Sequence, residues 1–247
     1  MVERVFREFH KSVDAFFTDR WGGVSEAPYN ELNLALHVGD DPLKVLQNRQ
    51  ILADNENFYI DNLIYMDQVH SDNIVIVTDT LTNKIESCDG IITNLPNVPL
   101  MVMVADCIPI LLYDSKKQVI GAVHAGRNGT FLEIAKKAVS KMKEEFNSDA
   151  KDIKVYLGTS INSCCYEVGK DLADVCQKSF GKKYVIERAS SFYLDLQTLN
   201  KDQLISAGLD EKHINISPTC SCCDKNYFSY RRDGVTGRFA GVIKLNG

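Results

Sequence analysis

Three short apolar runs in this chain end on side chains able to hold a metal ion: Gln68-Val69-His70, Ala105-Asp106-Cys107 and Val123-His124-Ala125-Gly126. Two imidazoles and one thiolate leave a fourth tetrahedral position open, as in catalytic zinc sites. Sulfur with nitrogen also disfavours magnesium and calcium. The three residues lie far apart in sequence and form no compact zinc motif. Taken singly, each His reads equally as a satisfied structural residue and Cys107 as a small core residue. A metal-free alternative uses the same side chains, with Cys107 as nucleophile and His124 or His70 as its base.

Other residues could serve such a site. Asp106, beside Cys107, suits a carboxylate that orients a ligand, a general acid, or a group that fixes the strand end. Arg20, Arg49 and Arg127 are candidate phosphate grips, because a guanidinium fork matches the oxygens of the dianion. Arg20 precedes Gly22–Gly23, where missing side chains permit close approach. Arg49 falls in a predicted helix, and Arg127 follows the third metal-competent strand end. Asn33 could bond a ribose or a base edge, or cap a turn; His37 could donate a proton. Cys220-Ser221-Cys222-Cys223 and the vicinal Cys164–Cys165 are expected to be ordinary thiols. His213 is the only further ligand type near the first group, and vicinal cysteines rarely bridge.

The elements that must position these residues alternate quickly. Val13–Val24 starts as an alternating apolar strand. Asp41 as N-cap and Pro42 at the first helical position open a helix over 42–56. Short β-branched runs predict strands at Leu63–Tyr65, Asn73–Thr78, Gly90–Thr93, Leu100–Val104, Ile108–Tyr113 and Val119–Val123, with a hairpin turn over 114–118. A helix is predicted from Thr130 to Phe146, with Leu132, Ala135, Ala138, Val139 and Met142 on its apolar face. A strand at Lys154–Leu157, a helix at Lys170–Phe180, a strand at Phe192–Leu194, a helix at Leu196–Ala207 stopped by Gly208, and a strand at Phe239–Leu245 complete the pattern. Strands in clustered hairpins predict an α+β fold: a single layered domain over 1–247, with mixed β-sheets flanked by helices.

Composition narrows the function. The 247 residues are 45% hydrophobic and 25% charged, with net charge -5, so nucleic-acid wrapping through counterion release is not expected. The first residues lack the apolar core of a secretory signal, and the run Val98–Ala105 is too short to span a bilayer. A cytoplasmic protein without membrane partners is expected, its 8 Cys held as thiols or ligands.

The strings FTDRWGGVSEAPYNELNLALHVGDDP, DQVHSDNI, CDGIITN, MVADCIPILLYD, GAVHAGRNGT, CCYEVG, YLDLQTLNKDQL and YFSYRRDGVTGR follow one another from Phe17 to Arg238. Together they resemble the laccase-domain, or peptidoglycan-editing-factor, family, whose members include zinc-containing purine nucleoside phosphorylases. The resemblance implies metal ligation by the His of QVH, the Cys of ADC and the His of HAG, here His70, Cys107 and His124. It implies two reactions on purine nucleosides and methylthioadenosine: phosphorolysis, and hydrolytic deamination of adenosine. Phosphorolysis needs donors for a phosphate dianion; deamination needs a water whose pKa the metal lowers to about 7. Two departures stand out. HAGRNG lacks the aromatic-then-basic pair usual after HAG, and Asp19 replaces a frequent hydroxyl residue. Copper-dependent polyphenol oxidation, suggested by the family's older name, fits poorly, because 5 His with no His-x-His pair cannot build a multicopper centre. Peptidoglycan precursor editing by a Cys107 hydrolase is the other alternative.

Overall fold

The computed structural model describes residues 2–9 and 11–247. Two six-stranded sheets and one three-stranded sheet form the β-structure. In the first sheet the strands run Val2–Val5, Val13–Thr18, Phe239–Leu245, Leu100–Val104, Ile64–Met66 and Lys84–Ile85; in the second, Ile214–Ile216, Ile153–Leu157, Ile108–Asp114, Val119–Ala125, Gly90–Thr93 and Ile74–Ile76. Both are mixed. Phe239–Leu245 is antiparallel to both neighbours, whereas Ile64–Met66 is parallel to both of its own.

The sheets pack face to face. Phe17, Val102, Val104, Phe239 and Ile243 of the first meet Ile91, Leu111, Tyr113, Ile120 and Ala122 of the second in one buried cluster. Helices cover the outer faces. Ile134–Phe146 and Leu196–Ser206 lie on the second sheet over Ile110, Leu112 and Val123. Pro42–Asn55 contributes Leu52 to a cluster on the first sheet with Phe16, Met101 and Val242. Strands covered on both sides read as nearly continuous apolar runs. Accordingly every residue of Leu100–Val104, Ile108–Asp114 and Val119–Ala125 is buried. The layered α+β architecture expected from the sequence is the one observed.

Local differences have physical reasons. The helix predicted from Thr130 divides into Arg127–Phe131 and Ile134–Phe146, because Glu133 adopts a left-handed backbone at φ 60°. Leu132, at that break, is exposed, and Ile134 takes its place on the apolar face. Short strands at Val2–Val5, Lys84–Ile85, Glu167–Val168, Val185–Arg188 and Ile214–Ile216 escaped sequence reading. Runs of two to four residues carry too little periodicity to declare themselves, and pairing across the sheet decides them. No helix among the described residues is long and apolar enough to cross a membrane.

Candidate metal centre

The two-sheet architecture explains how distant residues meet. His70 lies where the chain leaves Ile64–Met66 of the first sheet for Ile74–Ile76 of the second. Cys107 lies in a later crossing of the same kind, between Leu100–Val104 and Ile108–Asp114. The register of the second sheet then pairs Pro109 with His124 and Ile108 with Ala125, which puts His124 beside the Cys107 turn. All three donor atoms lie within 4.8 Å of one another, with Cys107 Sγ 3.9 Å from His70 Nε2. The imidazoles stand edge to face, their centroids 4.8 Å apart. Gly126 lets the third chain approach, since a Cβ there would lie 2.9 Å from His70 Cδ2 and 3.1 Å from Cys107 Sγ.

A buried carboxylate organises the centre. Asp89 Oδ1 accepts from His124 Nδ1 at 2.7 Å and from the His70 amide at 3.0 Å. Asp89 Oδ2 accepts from the amides of Val69 and Ser71 and from the Ser71 hydroxyl. Engaging Nδ1 orients the ring so that Nε2 faces the other two donors. The same bonds hold His70 in its left-handed conformation at φ 60°, which costs a non-glycine residue about 1–2 kcal/mol. Gln68 adds a second clamp: its amide donates to Met103 O at 2.7 Å and accepts from Met103 N at 2.9 Å, extending the ladder of the first sheet. Asp89 stands in the CDGIITN string and Gln68 in DQVHSDNI. Neither was singled out from sequence; the signal was a carboxylate immediately before the short strand Gly90–Thr93.

The donor set suits a thiophilic, nitrogen-binding cation with one position left open. A tetrahedral site with metal–sulfur near 2.3 Å and metal–nitrogen near 2.0 Å places S and N about 3.5 Å apart, close to the observed separation. Without metal the donors interact with one another. Burial raises the Cys107 thiol, but the facing His124 and His70 imidazoles outweigh it and bring it down to about 6. Burial likewise lowers His124, and the Cys107 thiolate and Asp89 overcome that and raise it to about 9. Between about pH 6 and 9 the metal-free centre is therefore a thiolate–imidazolium pair. Its stabilising effect disappears as pH falls through the Cys107 value or rises through the His124 value. Binding a metal must expel the His124 proton. Metal affinity is thus expected to weaken about tenfold per unit as pH falls from 9 to 6, and more steeply below 6 as Cys107 also protonates. Competition titrations with a chromogenic chelator across this range check the slope; an affinity independent of pH between 6 and 9 would refute the pair.

The centre opens into a cavity of about 330 Å³ whose wall includes His37, Ile161, Tyr166, Tyr230, Arg231 and Arg238. A family model described as multi-copper polyphenol oxidoreductase laccase matches residues 14–246. The chain belongs to this family. A purine nucleoside phosphorylase of Corynebacterium glutamicum is 36% identical over 96% of each chain. The purine nucleoside phosphorylase YlmD of Bacillus subtilis is 34% identical over 96% of this chain and 90% of its own. Among solved structures, YlmD from Geobacillus stearothermophilus matches with a TM-score of 0.90 at 32% identity, covering 95% of this chain and 92% of that one. The Bacillus licheniformis hypothetical protein YfiH gives a TM-score of 0.90 at 33% identity, over 95% and 93% of the two chains.

In this laccase-family chain the other sequence candidates take distinct places. Asp106, at φ 88°, accepts from the Ser221 hydroxyl at 2.7 Å and from the Arg231 amide at 2.6 Å, fastening the C-terminal segment to the Cys107 turn. Arg20 donates Nε to Asn30 O and lies over the Trp21 and Phe228 rings, away from the cavity wall. Arg49 is buried and is not on the cavity wall: Nε donates to Leu34 O, and the guanidinium stacks 4.1 Å from the Tyr65 centroid. Fully buried Asn33 accepts from the Ala35 and Arg238 amides and donates to Asp40. Arg127 opens the short helix after Gly126 and donates to Asn128 Oδ1; burial pushes the Tyr166 phenol up, and nearby Arg127 opposes that only in part. The guanidiniums on the cavity wall are Arg231 and Arg238. Arg231 and Arg238 both stand in the YFSYRRDGVTGR string, where nothing around them in sequence points to the metal ligands.

The cysteines expected to be ordinary thiols are free, but they are not isolated from one another. Cys164 and Cys165 meet Cys220 and Cys223 in a second group of potential metal donors. The partners come from more than fifty positions away, a distance no local motif spans.

Proposed function

We propose that this protein is a zinc-dependent purine nucleoside phosphorylase acting on adenosine, inosine, guanosine-type nucleosides and methylthioadenosine. The same site would deaminate adenosine by hydrolysis. The observation carrying this reading is an open two-His, one-Cys donor set at the end of a cavity whose wall also presents two guanidiniums. Similarity along nearly the whole chain to proteins named as purine nucleoside phosphorylases supports it. The cavity is of nucleoside size, and Tyr166 and Tyr230 offer aromatic faces for a purine.

His70, Cys107 and His124 would hold zinc, which supplies Lewis acidity and lowers the pKa of water. Arg238 and Arg231 would take the phosphate, with Arg127 at the rim completing the positive field. Burial and then Arg238 hold His37 below the usual imidazole range, so at neutral pH it is uncharged and able to take up a proton. Asp106 would act by holding Arg231 and Cys107 in place. Asn33 would place Arg238 through the amide it binds. Arg20 and Arg49 would support the loop that carries Asn33 and His37.

Purified protein incubated with inosine should release hypoxanthine and ribose 1-phosphate only when phosphate is present, and with adenosine should also release ammonia. Absence of base release in zinc-replete protein would sink the proposal. Arg238→Ala is expected to raise the KM for phosphate by roughly 10- to 150-fold, the equivalent of a charge-assisted hydrogen bond worth about 1.5–3 kcal/mol. Deamination, which uses no phosphate, should suffer much less. Equal losses in both reactions would assign Arg238 to nucleoside binding.

A further inference from the structure

We infer that Cys164, Cys165, Cys220 and Cys223 form a second, closed metal centre that takes a thiophilic divalent cation, zinc by its chemistry, and braces one wall of the first. Four sulfurs from two separate segments lie within 4.8 Å of one another. Cys223 Sγ is 3.7 Å from Cys164 Sγ and 3.3 Å from Cys165 Sγ. Four thiolates around one zinc ion at about 2.3 Å stand roughly 3.7 Å apart, so the cluster is already near coordination size. The cysteines are free.

Both segments are tight turns of the kind that present thiolates. Cys165 and Tyr166 N–H groups donate to Asn162 O, and the Asp224 amide donates to Cys220 O. The Asn162 amide donates to Cys220 Sγ at 3.4 Å, the type of bond that stabilises a sulfur anion. Two guanidiniums are fastened beside the cluster. Arg231 Nη1 donates to Cys165 O and Glu167 O, and Arg232 Nη1 to Ser221 O, Cys222 O and Asp224 O. Four thiolates and a divalent cation carry a net double negative charge, which Arg231 offsets in part; Arg232 is itself paired with Asp233 and contributes backbone bonds to the turn. All four donors come from protein, so no position remains for a substrate, and the role is structural. Cys165 adjoins Tyr166, and Ser221 binds Asp106, so the ion would clamp together the segments that carry Tyr166 and Arg231 to the first cavity.

The test uses the full chain with Cys107→Ser, which disables the first centre and leaves the four thiols intact. This variant should still retain one zinc per chain, and Co(II) loaded in its place should give the intense sulfur-to-metal charge transfer of several thiolates. Zinc should slow alkylation of Cys164, Cys165, Cys220 and Cys223, read by peptide mass spectrometry. Cys165→Ser and Cys223→Ser, in a chain with Cys107 intact, should each lose one of two ions and lower the unfolding temperature, whereas Cys222→Ser should keep both. If either variant fails to fold, the Cys107→Ser chain still decides. A Cys107→Ser chain that binds no zinc or Co(II) and whose four thiols react equally fast with and without zinc overturns the proposal.

Discussion

His124→Ala is expected to strip the metal from the first centre and lower turnover of inosine with phosphate by about 10³-fold or more. The change removes one of three ligands, and a Lewis acid contributes several kcal/mol of transition-state charge stabilisation. The fold should survive. Asp89 would lose its imidazole partner but keep three amides and a hydroxyl, so the stability cost should be about 1–3 kcal/mol. Metal analysis, steady-state kinetics and thermal unfolding on one preparation separate the effects. His70→Ala and Cys107→Ala should behave alike. Alkylation distinguishes this reading from a Cys107 hydrolase that edits cell-wall precursors. A coordinated thiolate should be shielded in the metallated enzyme and reactive after chelation, and alkylation should block recovery by added zinc. Rapid modification of Cys107 in fully metallated, active protein, with a substrate adduct on its sulfur, would reverse the assignment. A copper-dependent oxidase would instead hold copper and oxidise phenols.

Asp89→Ala should be the most damaging substitution at a residue that does not itself ligate metal. The carboxylate is fully buried and accepts from His124 Nδ1, three amides and the Ser71 hydroxyl. Deleting it leaves a buried imidazole and a turn of orphaned amides, at a cost of about 3–5 kcal/mol, comparable with breaking a buried ion pair. The Nδ1 bond that aims Nε2 is lost as well, so metal affinity should fall by roughly 10- to 100-fold. Because the His124 value is raised partly by Asp89, the variant should also bind metal with a weaker pH dependence above neutrality. Asp89→Asn keeps the shape and tests the charge: it should recover much of the stability and little of the affinity. Wild-type metal affinity in both variants, measured by chelator competition, would show that the carboxylate does not orient the ligand.

Much of the molecule can be read from residues alone. Asp41 and Pro42 announce their helix, which runs Pro42–Asn55, and unbroken apolar runs announce the central strands, because caps and burial act locally. The ligand trio is visible as residue types at strand ends, and the ordered motifs point to its family. Tertiary structure decides what depends on pairing between distant segments. The C-terminal strand enters the middle of the first sheet, between Val13–Thr18 and Leu100–Val104, an order that adjacency along the chain does not predict. Arg49, a phosphate candidate by residue type, is consumed by Leu34 O and the Tyr65 ring, whereas Arg238, with nothing in sequence to mark it, lines the cavity. Asp89 becomes the keystone of the centre only because its strand lies beside that of His124, with Gly90 opposite Val123. Cys164 and Cys165 acquire partners only when their turn folds against the one bearing Cys220 and Cys223. Types and local propensities travel with the chain; which donors face one another is set by sheet order and register, and these are fixed by burying both faces of two sheets at once.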